Sequence, residues 1–379
     1  MSRTITIICN TALHVHRSRM TLIEALQSRG AEIILISPYD ESVEALREKG
    51  VRHEHVNMSQ YGKNPISEIA TYRDIRAALR RHRPSICLCY TIKANTIGAL
   101  AAQSLAVPVI NNIAGTGRAF EGSGSLLRRL VITLYTISLR RSARVFFQNS
   151  DDLDFFLRHG MVQSELAQGI PGSGVDLNKF EPSFEFPSMP VFLYVGRLLI
   201  SKGAKMYIDA AREMCQRGVK ARFLLVGERL DESRYITAQD IEFFTAQKGC
   251  EYLGQVPPNR IRDVLASCSF LVLPSFYGEG VPRTLLEAGA VGRPIISTDS
   301  VGCKDVIRHM VNGLKIAPRD QDELVAAMCR AAGMETNALG TMGRQGREIV
   351  ERQFDERIVI RAYLNECQRL LTGFGPVVA

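Results

Sequence analysis

Two carboxylates, Glu279 and Glu287, stand eight residues apart in Tyr277-Gly-Glu-Gly-Val-Pro-Arg-Thr-Leu-Leu-Glu287. Carboxylates accept hydrogen bonds, and sugar rings offer hydroxyl donors. Pro282 suits the first turn of a helix, where its missing N–H costs nothing. Glu279 then lies in the loop before the helix and Glu287 about one turn inside it, so the segment spans roughly 12–16 Å. The helix start presents free N–H groups and partial positive charge, which favour a diphosphate. The spacing predicts a row of ligand groups: a sugar at Glu279, a diphosphate beside the helix start and a ribose at Glu287. The bland alternative is two unrelated surface acids; Gly278, Gly280 and Pro282 speak against it.

Cations for the diphosphate follow the apolar run Val191-Phe-Leu-Tyr-Val-Gly196 as Arg197 and Lys202, with Gly203 beside the lysine. Aimed at charge that develops in a transition state, such a donor is worth ~10²–10³ in rate. The alternative is a solvated basic turn. Asp152-Leu-Asp154 has the form of a divalent-metal triplet. It follows a strand and opens a helix behind Asn149 and Ser150, so helix capping accounts for it better. His14 and His16, with Arg17 and Arg19, follow the first strand and are expected in a loop as acceptor or phosphate contacts. Asn111, Asn112, Gly115 and Gly117 are expected to line the acceptor side.

The elements that must position these groups alternate. Strands are expected at 5–8, 32–37, 86–90, 107–110 and 144–148, with helices between them that stop at Gly30 and Gly50. Three prolines in Glu181-Pro-Ser-Phe-Glu-Phe-Pro-Ser-Met-Pro190 read as a linker. The rhythm resumes with strands at 191–195, 221–226, 270–273 and 294–297. This order predicts two doubly wound, Rossmann-like α/β domains, 1–182 and 190–355, with a cleft between them. A final helix at about 356–379 is expected to cross back onto the first. In such sheets ligands sit beyond the carboxyl ends of the strands, where the motifs lie.

At 379 residues the chain is long enough for two cores, and 46% hydrophobic with 23% charged residues is ordinary for a globular protein. The net charge of +8 suits nucleic acid, an anionic membrane surface or phosphorylated substrates. Nine scattered cysteines show no paired metal spacing and are expected to be reduced, in the cytoplasm. No apolar stretch reaches the ~20 residues of a membrane span. Arg128, Arg129, Arg140, Arg141 and Arg144, and the helical series Arg73, Arg76, Arg80 and Arg83, suit an anionic membrane surface or merely a solvated face.

The chain resembles the family 4 retaining glycosyltransferases of GT-B fold along nearly its whole length. The likeness runs through Gly174-Val-Asp-Leu-Asn-Lys-Phe180, Val195-Gly-Arg-Leu198, Leu225-Val-Gly227, Tyr252-Leu-Gly254 and Val272-Leu-Pro-Ser275. It continues through Glu279-Gly-Val-Pro-Arg-Thr-Leu-Leu-Glu-Ala288, Gly292-Arg-Pro-Ile295, Gly302-Cys303 and Asn312-Gly313. It is most similar to members that extend undecaprenyl-diphosphate-linked sugars in bacterial surface polysaccharide or glycan assembly. The resemblance implies a UDP-sugar donor, a lipid-linked acceptor, no metal cofactor and a peripheral position on the inner face of the cell membrane. It implies that Arg197 and Lys202 hold the diphosphate, Glu287 the ribose, and Glu279 with the amides of Gly280 and Val281 the sugar. Leu253 to Val256, with Gln255 among them, would frame the base, and Gly196, Gly227, Pro282 and Leu286 complete the expected nucleotide-sugar set. On the acceptor side stand Asn10, Thr11, His14, His16, Arg19, Gly115 and Gly117. Two departures are visible. Asn10-Thr-Ala-Leu-His14 replaces the Gly-Gly loop of many relatives, and no histidine occupies 111–117. A sugar-nucleotide epimerase of similar layout is the alternative enzyme. A nucleic-acid binder fits poorly with 7% aromatic residues and no Trp.

Overall fold

The computed structural model describes residues 3–59, 65–115, 125–371 and 374. The chain divides into two compact units, Met1–Ser173 with Arg357–Ala379, and Gly174–Glu356.

The first unit runs β1 (Thr4–Ile8), α1 (Ala12–Ser18), α2 (Met20–Gln27), β2 (Glu32–Ser37), α3 (Ser42–Glu48), β3 (Arg52–His55), α4 (Pro65–His82) and β4 (Ile86–Tyr90). A π-helical turn (Ala94–Gly98), α5 (Ala99–Gln103), β5 (Val109–Ile113), α6 (Ser125–Leu139), β6 (Arg144–Phe147), α7 (Ser150–Arg158) and β7 (Ala167–Gly169) follow. Its sheet is parallel, in the order β3-β2-β1-β4-β5-β6-β7. β1, β4 and β5 are buried at every residue, as strands covered by helices on both faces must be. Two residue patterns hid strands from the sequence. Arg52-His-Glu-His55 is polar because β3 is an edge, where side chains meet water, and β7 has only three residues.

The second unit contains β8 (Val191–Val195), a 3₁₀ turn (Ile200–Lys202), α8 (Ala204–Gln216), β9 (Arg222–Val226), α9 (Ala238–Thr245), β10 (Cys250–Tyr252) and α10 (Ile261–Ala266). Then come β11 (Phe270–Leu273), α11 (Arg283–Val291), β12 (Ile295–Thr298), β13 (Gly313–Ile316), α12 (Gln321–Ala332) and α13 (Thr336–Gln353). These strands form a second parallel sheet, β10-β9-β8-β11-β12-β13. The last helix, α14 (Glu356–Leu370), buries Val359, Tyr363, Leu364 and Cys367 in the core of the first unit, and Arg144 pairs with its Glu366 at 2.8 Å.

The division at Ser173 differs from the expected boundary at the proline-rich 181–190, which belongs to the second unit. Its carbonyls are tied down by donors from elsewhere in that unit. Arg293, 1% exposed, donates to the carbonyls of Ser183, Glu185 and Cys268 and stacks over Phe186 at 4.3 Å. Arg347 donates to the Phe180 carbonyl at 2.7 Å. Proline removes donors from a segment, so the sequence reads as loose, whereas two distant arginines supply what is missing.

The described cysteines are all free, and burial pushes several thiols up: Cys303 to about 11, and Cys9, Cys268 and Cys367 to about 12. In the unfolded chain these thiols ionise near 9.0. Between pH 9 and about 11 the unfolded state therefore holds fewer protons than the native one, and stability falls as pH rises through that window. Each thiol contributes up to about 1.4 kcal/mol per pH unit. Urea midpoints are expected to decline from pH 8 to pH 10; a flat profile would contradict this burial.

Candidate active site

In both sheets the strand order reverses beside the first strand, at β1/β4 and at β8/β11. The carboxyl side of such a reversal is an open crevice in this class of fold. In the second unit it gathers the residues with the clearest chemistry.

After β8 the chain makes a tight 3₁₀ turn that ends on Lys202. The buried Tyr194 hydroxyl lies 3.1 Å from the Arg197 carbonyl and 3.4 Å from that of Lys202, bracing the turn from below. Burial, and then the nearby charge of Glu279, hold this phenol well above its ordinary value, so it stays a hydrogen-bond donor. Gly203 has φ +79°, and a Cβ there would lie 2.3 Å from the Pro274 carbonyl oxygen. Glycine alone allows the turn after β8 to press against the segment after β11. The Phe276 amide then donates to the Ser201 carbonyl at 3.0 Å, joining the two.

Lys202 Nζ and Glu279 Oε2 are 2.9 Å apart, with only 14% and 18% of their side chains exposed. Lys202 thus carries a carboxylate partner from the loop that opens α11. That loop is held from behind by Gly302, whose φ is +79° and whose Cβ, if present, would sit 1.9 Å from the Gly280 carbonyl oxygen. The hydroxyls of Thr298 and Ser300 both donate to the Ser275 carbonyl, fixing the loop's root. Arg197 is exposed and forms no ion pair among the described residues.

Pro282 is the N-cap of α11 rather than its first helical residue, in extended conformation (φ −62°, ψ 119°), and no side chain caps the helix. The residue before the first turn is free to extend because proline fixes only its own φ. Glu287 lies one turn in, 3.5 Å from Arg283 Nε, with its side chain 14% exposed. Gly196 and Gly227 stand at the ends of β8 and β9, and the Tyr252 hydroxyl donates to the Gly227 carbonyl at 2.9 Å. Gln255 is exposed and Val256 half-buried against the core. Gly280, Val281 and Pro282 are buried. Leu286, expected in the nucleotide-sugar set, is 0% exposed and belongs to the core of this unit, so its side chain presents no surface to a ligand.

The first unit brings another set to the carboxyl ends of β1 and β4. His14 and His16 stand on α1 and not in a loop. The cause is Asp40, whose carboxylate accepts from the Thr11 hydroxyl at 2.8 Å and the Leu13 amide at 3.1 Å, starting the helix from another segment. Asn10 is partly exposed, the His14 ring lies 6.4 Å from that of Tyr90, and Arg19 is 2% exposed. Asn111 and Asn112 are buried in a polar network and do not line an open surface. Asn95 donates to the Asn112 carbonyl (2.7 Å), Ser142 and Gln148 donate to the two side-chain carbonyls (2.7 and 2.9 Å), and Asn112 donates to the Tyr363 hydroxyl (2.9 Å). Gly115 is partly exposed with φ +117°; Gly117 lies outside the described residues. Asn149 caps α7 by accepting from the Asp152 amide at 2.7 Å and donating to its carboxylate, the capping role expected of this segment. No group of three metal-ligating side chains forms among the described residues.

Sequence reasoning missed three supporting residues. Tyr194 is a polar group inside an apolar strand, which signals a required partner. Ser201 left no signal, because it acts through its carbonyl. Gly302 was visible as a motif, but its service to the Gly280 loop depends on a contact between distant segments.

Two parallel α/β units in succession, the second with cations and carboxylates at a strand-order reversal, are the architecture of the GT-B fold. Residues 15–168 match the glycosyl transferase 4-like domain family, and residues 189–333 the family of glycosyl transferases group 1. The chain is 26% identical over 374 residues to the N,N'-diacetylbacillosaminyl-diphospho-undecaprenol alpha-1,3-N-acetylgalactosaminyltransferase of Campylobacter jejuni, covering 94% of this chain and 96% of that protein. It is 24% identical over 307 residues to the UDP-Gal:alpha-D-GlcNAc-diphosphoundecaprenol alpha-1,3-galactosyltransferase of Escherichia coli, covering 76% of each. Among solved structures, a glycosyltransferase from Rickettsia africae matches with a TM-score of 0.79 at 16% identity, covering 98% of this chain and 99% of that one. The Anabaena protein HepE in complex with UDP-glucose matches at 0.77 and 19% identity, covering 97% and 100%. The chain belongs to the glycosyltransferases, with a 4-like domain followed by a group 1 domain. It is a hexosyltransferase, and the epimerase alternative falls.

Gly302→Ala should force the Gly280 carbonyl, and with it the Glu279 loop, out of place. The strain is worth about 1–3 kcal/mol. Thermal unfolding should report a loss of that order, and a sugar-transfer assay at least a tenfold fall; wild-type rates would show that the loop does not depend on this contact.

Proposed function

We propose that the protein is a retaining transferase that moves a sugar from a UDP-sugar to a glycan carried on a lipid-linked diphosphate, without a metal cofactor. The observation that carries this reading is the Lys202–Glu279 pair beside the uncapped start of α11. The full-length similarity to a transferase whose acceptor is an undecaprenyl-diphosphate-linked sugar supports the acceptor class.

The donor diphosphate competes with Glu279 for Lys202 and is met by Arg197 and the α11 amino terminus. Charge-assisted hydrogen bonds of this kind are worth about 1.5–3 kcal/mol each. Glu279, released from the lysine, accepts from the sugar hydroxyls, with the amides of Gly280 and Val281 beside it. Glu287 holds the ribose hydroxyls, and Gln255 and Val256 border the base. The acceptor hydroxyl attacks the anomeric carbon from the face the leaving group departs. The bond from that carbon to the diphosphate oxygen breaks as the new glycosidic bond forms. A diphosphate oxygen takes the acceptor proton, and the cations neutralise the departing UDP.

Glu287→Ala should weaken UDP binding at least tenfold by calorimetry, and Lys202→Ala should lower kcat more than it raises KM. Unchanged transfer in both variants would overturn the site assignment.

We place the chain at the inner membrane surface as a peripheral protein. Among the described residues no helix is long and apolar enough to cross a membrane. On α6, Arg128 and Arg129 are exposed beside Leu130 (55% exposed) and Ile137 (54%), and Arg140 and Arg141 follow it, a composition suited to an anionic interface. Arg144 leaves this set, since its guanidinium is spent on Glu366 and the Glu165 carbonyl. Replacing Arg128, Arg129, Arg140 and Arg141 by glutamine should reduce sedimentation with vesicles of anionic phospholipid several-fold; undiminished sedimentation would remove the membrane assignment.

A further inference from the structure

Arg19 is the least expected residue of the amino-terminal unit. It is 2% exposed, and its Nε and Nη2 atoms are buried with no hydrogen-bond partner. No carboxylate lies within ion-pair distance of it among the described residues. Asp40, an acid of the same crevice, is committed to Thr11, Leu13 and Ser42. The guanidinium instead stacks on Tyr90, 4.7 Å from the ring centre. A buried cation without a counter-ion is costly, and an apolar side chain of similar size would usually serve the fold better. Such a group is explained when an anion joins it.

Tyr90 ends β4, and Arg19 stands at the uncapped amino end of α2, so the pair marks the carboxyl side of the β1/β4 reversal. The next residue, Thr91, has φ +75°, which a β-branched side chain adopts rarely, and its hydroxyl is buried without a partner. Directly behind it the chain forms the π-helical turn Ala94–Gly98, a helix type that recurs at functional sites. A strained hydroxyl and an unpaired guanidinium, one a donor and acceptor and the other a planar donor fork, flank the same strand end.

We propose that Arg19, with the Thr91 hydroxyl and the start of α2, forms an oxyanion pocket in the amino-terminal unit that takes a phosphate or diphosphate group. The planar fork suits two oxygens of one phosphate. Two sources offer this chemistry, the diphosphate of a lipid-linked acceptor and the donor nucleotide. The acceptor assignment rests on the function proposed above; the pocket itself does not.

The test uses the full chain carrying Arg197→Ala and Lys202→Ala, so that binding of inorganic diphosphate reports on the remaining site. Calorimetry should detect diphosphate, and adding Arg19→Met should weaken it at least tenfold. The ligand-free melting temperature of Arg19→Met should stay the same or rise, because an uncompensated cation has gone. A merely structural arginine would give the reverse, a lower melting temperature with binding unchanged, and that result overturns the proposal. Absence of diphosphate binding in the parent also overturns it. Should Arg19→Met fail to fold, Arg19→Lys retains charge without the fork and should weaken binding at least threefold; equal affinity counts against the pocket. In chains with Arg197 and Lys202 intact, an Arg19→Lys rise in KM confined to a prenyl-diphosphate-sugar acceptor assigns the acceptor. A rise confined to the UDP-sugar assigns the donor, and no change in either KM overturns the pocket's part in transfer. Diphosphate binding through Arg19 without any transfer to prenyl-diphosphate acceptors would sink the proposed function and leave the pocket standing.

Discussion

The role proposed for Lys202, receiving a diphosphate, requires a side chain that is largely buried and correctly aimed before any ligand arrives. Lys202 meets this constraint by pairing with Glu279 at 2.9 Å, and most of the carboxyl-terminal unit's local design serves that pair. Tyr194 braces the turn that carries the lysine, and Gly203 lets that turn approach the strand end opposite. Gly302, Thr298 and Ser300 fix the loop that carries the glutamate. The pairing offsets part of the desolvation of both groups, so in the proposed reaction an arriving diphosphate exchanges one anion for another instead of meeting a bare cation. It also links the two roles in the proposed reaction, since Glu279 becomes available to sugar hydroxyls when phosphate replaces it.

The two units answer the same geometric problem differently. Both present their chemistry where strand order reverses, because there adjacent connections leave in opposite directions and open a crevice. The carboxyl-terminal unit fills its crevice with a compensated ion pair and a free helix start. The amino-terminal unit holds an arginine stacked on Tyr90 with no carboxylate partner among the described residues, and also a hydrogen-bonded network of Asn95, Asn111, Asn112, Gln148 and Tyr363. Low local dielectric makes a complete network rigid and an unpaired charge costly. The contrast between that network and the unpaired guanidinium is what singles Arg19 out.

Much of the architecture was legible beforehand. β2, β4, β8 and β11 occupy the residues expected of them, since a strand buried on both faces writes itself as an unbroken apolar run. β3 was not, because an edge strand of Arg, His and Glu carries no such run. α1 was hidden for another reason, as its starting turn is held by Asp40 from beyond β2. The motif around Glu279 and Glu287 could be placed on a loop and a helix from glycine and proline positions alone, and there it lies. Leu286, by contrast, stands among the expected site residues in the sequence, yet its side chain is fully buried in the core.

By itself, then, the amino-acid order determined the succession of parallel βα units and which residue types bear charge beside each strand end. Those properties arise from local periodicity and from backbone limits on Gly and Pro, which act over a few residues. Only the tertiary structure decided which charges are compensated: Lys202 by Glu279, Arg144 by Glu366, Arg293 by three carbonyls, and Arg19 by no anion of the described chain. Compensation depends on distances between segments tens to hundreds of residues apart. No local pattern encodes those distances, because they are set by how helices and strands pack into a shared core.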